Sequence, residues 1–473
     1  MLTFADVLEA LTGNRPEAAS LLISEAAIDS RQVIPAGMFV ALPGERVDGH
    51  DYVTNAFERG AHLALIQKDL DFPCPVIDIR KGNLGPQMTI PNPPFALRVD
   101  DTLKALQDIA RYWRRKHDLQ VIGITGSVGK STTKELIAEV LGMRYRVLKN
   151  PGNLNNEIGL PLTLLHLSPG HQVAVLEMGF YVPGEIQFLC DLALPQIGVI
   201  TNIGTVHAER AGSQETIARG KAELVQALPP APDGVAILNY DDPLVRPMAE
   251  QTRANVFFYG LDPQADLWAD DIESLGLKGI RFQLHFQSEV LHVRIPMIGR
   301  HSVHTALRAA AVGIVQGMPW AEIITGLRRS HSQLRLVVVR TESGALMVDD
   351  SYNASPESTL AALNLLEEIE GRKVAVLGDM LELGPYEQEG HEIVGRRTAE
   401  VAEVLVTVGS LGKLIADSAR NSGLPEENIV ICEDVPGAIE VLQKLLVEGD
   451  VTLIKGSHGL RMDRIVAALE VKE

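Results

Sequence analysis

The sequence predicts an α/β protein of three domains: a small N-terminal α/β domain, a central doubly wound, mostly parallel sheet, and a C-terminal open sheet of Rossmann-like type. Three observations predict it. The chain has 473 residues, more than one core supports, and domains of about 100–200 residues make three the natural division. Short β-branched apolar runs alternate with segments of helical periodicity, the pattern of parallel strands joined by crossover helices. Finally, one such run turns directly into the glycine-rich segment GITGSVGKSTTKE at 123–135, which continues as a helix.

The first domain, residues 1–98, holds the short apolar runs 38–42, 63–66 and 75–79 and closes on a Pro-rich stretch around Pro91, Pro93 and Pro94 that reads as a linker. The second, 99–330, opens with the helical pattern DTLKALQDIARYWRRKH from Asp101, then the strand VIGIT, with further buried strands at VAVLE (173–177) and IGVIT (197–201). Between 256 and 298 the segments GIRFQLHF and VLHVRIP alternate like antiparallel strands and are expected to flank the main sheet. The third, 331–473, restarts the alternation with KVAVLGD, EVLVTVG, NIVIC and VTLIKG, and its ligand crevice is expected at the strand ends.

Composition narrows the function. Lys and Arg number 43 against 61 Asp and Glu, a net charge of −18, which argues against general nucleic-acid binding and requires any anionic ligand to meet local positive charge. The three cysteines, Cys74, Cys190 and Cys432, are widely spaced without a CxxC pair, so neither a disulfide framework nor a structural zinc site is expected and a reducing compartment fits. No stretch of about 18 uncharged apolar residues occurs, and the N-terminus lacks a basic segment followed by an apolar one, so neither a membrane span nor export is expected. The cytoplasm is the expected location.

Chemistry begins at the glycine-rich loop. Gly126, Ser127, Val128, Gly129, Lys130, Ser131 and Thr132 lie between a strand and a helix, where glycines let backbone N–H groups close around phosphates and the helix N-terminus adds positive potential. Lys130 supplies a point charge for the β- and γ-phosphates, and Ser131 or Thr132 a hydroxyl for magnesium. Strict GxxxxGK spacing would require glycine at 124, where isoleucine stands; Gly123 and Gly126 flank it, so the loop is a variant. A tight βα turn beside a lysine is the bland alternative. Downstream, Glu177 ends an apolar run where a carboxylate faces a metal from a neighbouring strand end. His207 and Glu209 follow the strand at 197–202, and Lys221 sits on a helical segment; taken singly, each has a structural or solvated reading as well.

Together these motifs resemble the Mur ligase family over essentially the whole chain, and within it the members that add a dipeptide. DSRQVIPAGMFVALPGERVDGHDY (29–52) resembles the family's UDP-binding segment and points to Ser30 and Arg31 near the uridine. NPGNLNNEIGLPLTLL (150–165), with Asn155 and Asn156, together with DDSYNASPES (349–358) and GDMLELG (378–384), is similar to the dipeptide-adding form. The resemblance implies that Glu177 and His207 hold magnesium and that Lys221 carries a carbamate, which turns a cation into an anionic metal ligand. It also implies that Asp350, Tyr352, Asn353 and Pro356 close over ATP, and that Lys455, Gly456 and Ser457 form a late strand-to-helix turn. GRHSVHTALRAA (299–310) corresponds to the family's adenine segment, with His301 retained and Ser302 and Thr305 in place of two asparagines. Arg335, preceded by leucine in place of the usual glycine, falls at a phosphate contact. The implied reaction is ATP- and Mg2+-dependent joining of D-alanyl-D-alanine to UDP-N-acetylmuramoyl-tripeptide through an acyl phosphate, by a monomer. Alternatives are the tripeptide-forming Mur ligase, the more distant folylpolyglutamate synthase, a P-loop kinase, and a degenerate nucleotide-binding paralogue.

Overall fold

A computed structural model of the protein describes residues 1–44, 47–70, 73–80, 90–206, 208–329 and 337–471. Contacts divide the chain into two compact units. The first comprises Met1–Gly123, Tyr145–Gly179 and Glu185–Gln196; the second comprises Ile124–Arg144, Phe180–Gly184 and Ile197–Glu473.

In the first unit the N-terminal strands form an all-parallel five-stranded sheet in the order Ala26–Ala27, Met38–Val40, Leu63–Ile66, Phe95–Arg98, Val76–Asp78. One face packs on Val33, Val53 and Ala56 through Phe39, Ala64, Ile66 and Ala96. The segment after the proline-rich stretch is not merely a linker: Phe95–Arg98 is an interior strand of this sheet, invisible to periodicity because four residues directly after Pro-Pro carry too little pattern. The helix Thr102–Arg115 follows the expected helical pattern. Asp101 caps it by accepting from the Lys104 amide, and Ala105, Leu106, Ile109, Ala110 and Trp113 recur every three or four residues to make one buried face. Farther on, strand Val173–Glu177 pairs in parallel with Val147–Lys149.

The second unit holds two sheets. In the first, strands Ile197–Ile200, Val235–Asn239, Asn255–Gly260 and Leu267–Ser274 run parallel in that order. Antiparallel strands Ile280–Phe286 and Glu289–Ile295 then extend the edge, as the alternation between 256 and 298 predicts. Helix Ser302–Val315 packs across this sheet and against helix Lys130–Leu141. The other sheet has six strands in the order Val337–Arg340, Leu346–Asp350, Asp450–Lys455, Arg372–Gly378, Val404–Val408, Ile429–Cys432, parallel except for the first. Its two faces bury alternate residues of the same strand. Ala375 and Leu377 meet helices on one side, and Val374 and Val376 meet those on the other, which is the doubly wound pattern. From Arg372–Gly378 the chain winds outward through two strands, then returns to insert Asp450–Lys455 on the opposite side. The carboxyl ends of these two strands therefore flank the point where winding reverses, where open α/β sheets place ligands. Among the described residues no helix is long and apolar enough to cross a membrane.

Candidate active site

Strand Gln120–Thr125 delivers the chain into the glycine-rich loop, and helix Lys130–Leu141 begins at Gly129, which is left-handed at φ 82° and gives no side-chain cap. The helix therefore presents its first-turn amides and the positive end of its dipole to the loop. The loop is braced from the next strand end. Thr201 Oγ1 and Asn202 Nδ2 donate to the Val128 carbonyl at 2.8 and 3.2 Å, Asn202 Oδ1 accepts from the Val128 amide at 2.9 Å, and the Ser127 amide donates to Asn202 O at 2.9 Å. Gly126 is required by this brace: at φ 143° a β-carbon there would stand 1.8 Å from Thr201 Oγ1. Lys130 Nζ turns back over the loop to the Gly126 and Ser127 carbonyls at 2.8 and 3.2 Å. Ser131 is buried and Thr132 half-buried on the first turn.

Lys221 comes to the same loop from helix Gln214–Gln226, its Nζ 3.0 Å from Gly126 O and 4.7 Å above the Phe180 ring. The ring seats there because residue 220 is glycine; a β-carbon would lie 2.1 Å from Phe180 Cε2. Lys221 is only 1 % exposed, and burial, with the like charge of Lys130, pushes its ammonium pKa well below the ordinary range. The structure thus holds a buried amine, with its charged form disfavoured, beside the glycine-rich loop. Next to the loop, Ser127 Oγ accepts from the Gly204 amide at 2.8 Å, and Glu357 Oε1 accepts from the Thr205 amide at 3.0 Å. Glu357 belongs to the first turn of helix Pro356–Glu368, so the later sheet's helix touches the strand-end turn that braces the nucleotide loop.

At the reversal point of the six-stranded sheet, Lys455 is buried and donates to Asp350 Oδ2 at 2.5 Å and to Asn353 O at 2.9 Å. Tyr352 and His458 place their rings 5.5 Å apart. His301 is exposed at the N-terminal cap of helix Ser302–Val315. The two replacements after it turn inward: Ser302 Oγ donates to Ile298 O at 2.7 Å, and Thr305 Oγ1 accepts from Arg308 NH2 at 2.8 Å.

In the first unit, Glu177 ends its strand as expected, buried and 2 % exposed. Asn155 Nδ2 donates to Glu177 Oε1 at 2.9 Å, while Asn150 grips the Glu177 backbone from both sides, Oδ1 to N at 2.9 Å and Nδ2 to O at 3.1 Å. Asn156 does structural work, its Oδ1 accepting from the Gly159 amide at 2.9 Å where helix Gly159–Leu165 starts. Ser30 is buried at the start of a 3-10 turn, and Arg31 is exposed and paired with Asp29 at 2.7 Å. His207 and Arg335 lie outside the described residues.

Sequence reading missed Asn150, Thr201, Asn202, Arg308 and Glu357. For Thr201 and Asn202 a signal existed, since small polar residues at a parallel strand's carboxyl end face the crevice; for Arg308, inside a helix pattern, none did.

A nucleotide loop at a βα junction, a second open sheet and an N-terminal parallel sheet define an ATP-dependent ligase fold, and family models match throughout: "Mur ligase family, catalytic domain" at 22–114, "Mur ligase middle domain" at 124–313 and "Mur ligase, glutamate ligase domain" at 334–458. The chain belongs to the Mur ligase family. It is 35 % identical to the UDP-N-acetylmuramoyl-tripeptide--D-alanyl-D-alanine ligase of Bacillus subtilis (strain 168), covering 99 % of this chain and 98 % of that one. The enzyme of the same name from Escherichia coli (strain K12) is 32 % identical over 99 % and 98 %. Among solved structures, MurF from Acinetobacter baumannii superposes with TM-score 0.82 at 30 % identity over 98 % of each chain. MurF ligase from Thermotoga maritima in complex with ADP gives TM-score 0.78 at 27 % identity over 95 % and 97 %.

Proposed function

We propose that this chain uses ATP to activate the terminal carboxylate of UDP-N-acetylmuramoyl-tripeptide and joins it to the amine of D-alanyl-D-alanine, giving the pentapeptide precursor of peptidoglycan, ADP and phosphate. The observation that carries the proposal is the braced loop at Gly126–Thr132 with two lysines on it, in a chain matched end to end by relatives bearing that name.

The first-turn amides and Lys130 hold the β- and γ-phosphates, placing positive charge where the transferring phosphoryl group gathers negative charge. The tripeptide carboxylate oxygen bonds to the γ-phosphorus as the bond to the β,γ-bridging oxygen breaks, leaving an acyl phosphate and ADP. The dipeptide amine then attacks the acyl carbon, phosphate leaves with the C–O electron pair, and the nitrogen releases its proton. Holding three reactants in line supplies most of the acceleration.

The residues present fit magnesium. Ser131 provides a hard hydroxyl oxygen on the first turn, of the kind that shares magnesium with phosphate oxygens and water. Among the described residues no group of three or more His, Cys, Asp or Glu could hold a metal ion alone. The family resemblance assigns Ser131, Glu177, His207 and carbamylated Lys221 to magnesium ions, which when bound would supply charge neutralisation at the phosphoryl oxygens. The Lys221 environment supports carbamylation: a neutral Nζ attacks the carbon of CO2, forming an N–C bond and releasing a proton to leave an anionic carbamate. His301 is assigned to adenine, Arg335, Asp350 and Asn353 to the closing side of ATP, and Ser30, Arg31, Asn155 and Asn156 to the UDP-linked substrate. We place the enzyme in the cytoplasm as a monomer.

The test is phosphate release from ATP with magnesium and UDP-N-acetylmuramoyl-tripeptide, in its diaminopimelate and lysine forms, with and without D-alanyl-D-alanine. Release that requires both substrates and yields the pentapeptide is expected. Turnover indifferent to the dipeptide overturns the assignment and moves the weight to another Mur ligase step or to a degenerate paralogue.

A further inference from the structure

One charged side chain at the nucleotide loop has no part in the reaction above. Arg308 lies on helix Ser302–Val315 and is 4 % exposed. Its NH2 donates to Thr305 Oγ1 at 2.8 Å, its guanidinium carbon stands 5.8 Å from the Tyr259 ring, and its buried Nε has no acceptor among the described residues. No ion pair compensates it among those residues. The Tyr259 phenol, pushed up to about 12 by burial, is neutral and donates to Ile200 O and Thr201 O. Asp241 and Asp242, whose charges are felt at Tyr259, are engaged by His304 and by the Ile203 and Leu244 amides.

A buried guanidinium without a counter-charge is costly, and a neutral side chain of similar volume would brace the helix at lower cost. Position supplies the reason for keeping it. Arg308 NH2 is 3.3 Å, and its Cζ 4.0 Å, from where a β-carbon on Gly129 would stand. Gly129 is the left-handed residue immediately before Lys130, at the mouth of the phosphate-facing helix.

We propose that Arg308 is a phosphate-positioning residue: the polyphosphate of bound nucleotide balances its charge, and its guanidinium backs the Gly129 turn that aims the loop amides. This rests on the reading of residues 126–132 as the ATP loop. The missing side chain at 129 then serves two ends, the left-handed turn and room for the guanidinium. Arginine suits the task because it stays charged when buried.

The experiment is calorimetric titration of the purified full chain with MgATP, MgADP and AMP for the wild type, Arg308→Met and Arg308→Lys, beside thermal unfolding without nucleotide. Arg308→Met is expected to weaken ATP and ADP about tenfold, as for loss of a charge-assisted interaction, and AMP markedly less. Arg308→Lys recovers part of the loss, and the nucleotide-free melting temperature of Arg308→Met is unchanged or higher. Equal weakening of all three ligands with a lowered melting temperature makes Arg308 a structural brace and overturns the proposal, as does unchanged ATP affinity in both variants. A wild type that binds no ATP sinks the loop assignment itself, an outcome separate from either.

Discussion

Gly126→Ala puts the sharpest demand on the loop geometry. The new β-carbon would meet Thr201 Oγ1 at 1.8 Å, Thr201 Cβ at 2.9 Å and the Thr201 amide nitrogen at 3.0 Å, at a φ of 143° that L-residues rarely adopt. Thr201 is fully buried and its hydroxyl holds the Val128 carbonyl, so relief requires the loop to leave its brace. Backbone strain of about 1–3 kcal/mol and a displaced, unsatisfied hydroxyl of about 1–3 kcal/mol sum to roughly 2–6 kcal/mol against the phosphate-ready conformation. A cost at the lower end weakens ATP about 30-fold. Calorimetric ATP titration measures it, and a double-mutant cycle with Thr201→Ala isolates the clash: the pair should couple favourably, the second change recovering part of the loss. Wild-type ATP affinity in folded Gly126→Ala, or no coupling with Thr201→Ala, would refute the reasoning.

Other consequences are checked more simply. Lys130→Ala should abolish ligase turnover, seen as loss of phosphate release, while leaving the melting temperature within a few degrees of the wild type's, since its bonds to two loop carbonyls are local. Lys221→Met should raise nucleotide-free thermal stability by removing a buried, desolvated amine, yet eliminate activity; retained activity counts against the carbamate. Asp350→Ala leaves buried Lys455 without its carboxylate and should destabilise the protein by about 3 kcal/mol in chemical denaturation. Asp6 is a pH probe: burial alone would raise its pKa, but Lys116, Thr3 and Arg15 outweigh it and hold the carboxyl well below its ordinary value of 3.8. Its folded-state pKa being depressed, its contribution is complete above that ordinary value and is lost as pH falls below it. Asp6→Asn should therefore cost about 1–3 kcal/mol at neutral pH, reduced because Arg15 and Lys116 are partly exposed, and the gap from wild type should close on acidification.

By itself the sequence determined the elements whose cause is local. The strands at 173–177, 280–286 and 372–378 and the loop at 126–132 stand where alternation and turn chemistry put them, because periodicity and glycine spacing act over a few neighbouring residues. The strand Phe95–Arg98 escaped that reading because its identity comes from two neighbouring strands and not from its own four residues. The candidate site residues divide the same way. Lys130 and Glu177 are legible at a helix start and a strand end, whereas Lys221 reads as an ordinary amphipathic-helix lysine until the fold carries it 95 residues back to Gly126 O. Thr201 and Asn202 bracing Val128, Asn150 clamping Glu177, Lys455 on Asp350 and Arg308 behind Gly129 are likewise decisions of packing. Burial and proximity set the charge state of a lysine or the partner of a carboxylate, and both arise only when residues distant in the chain share one low-dielectric interior.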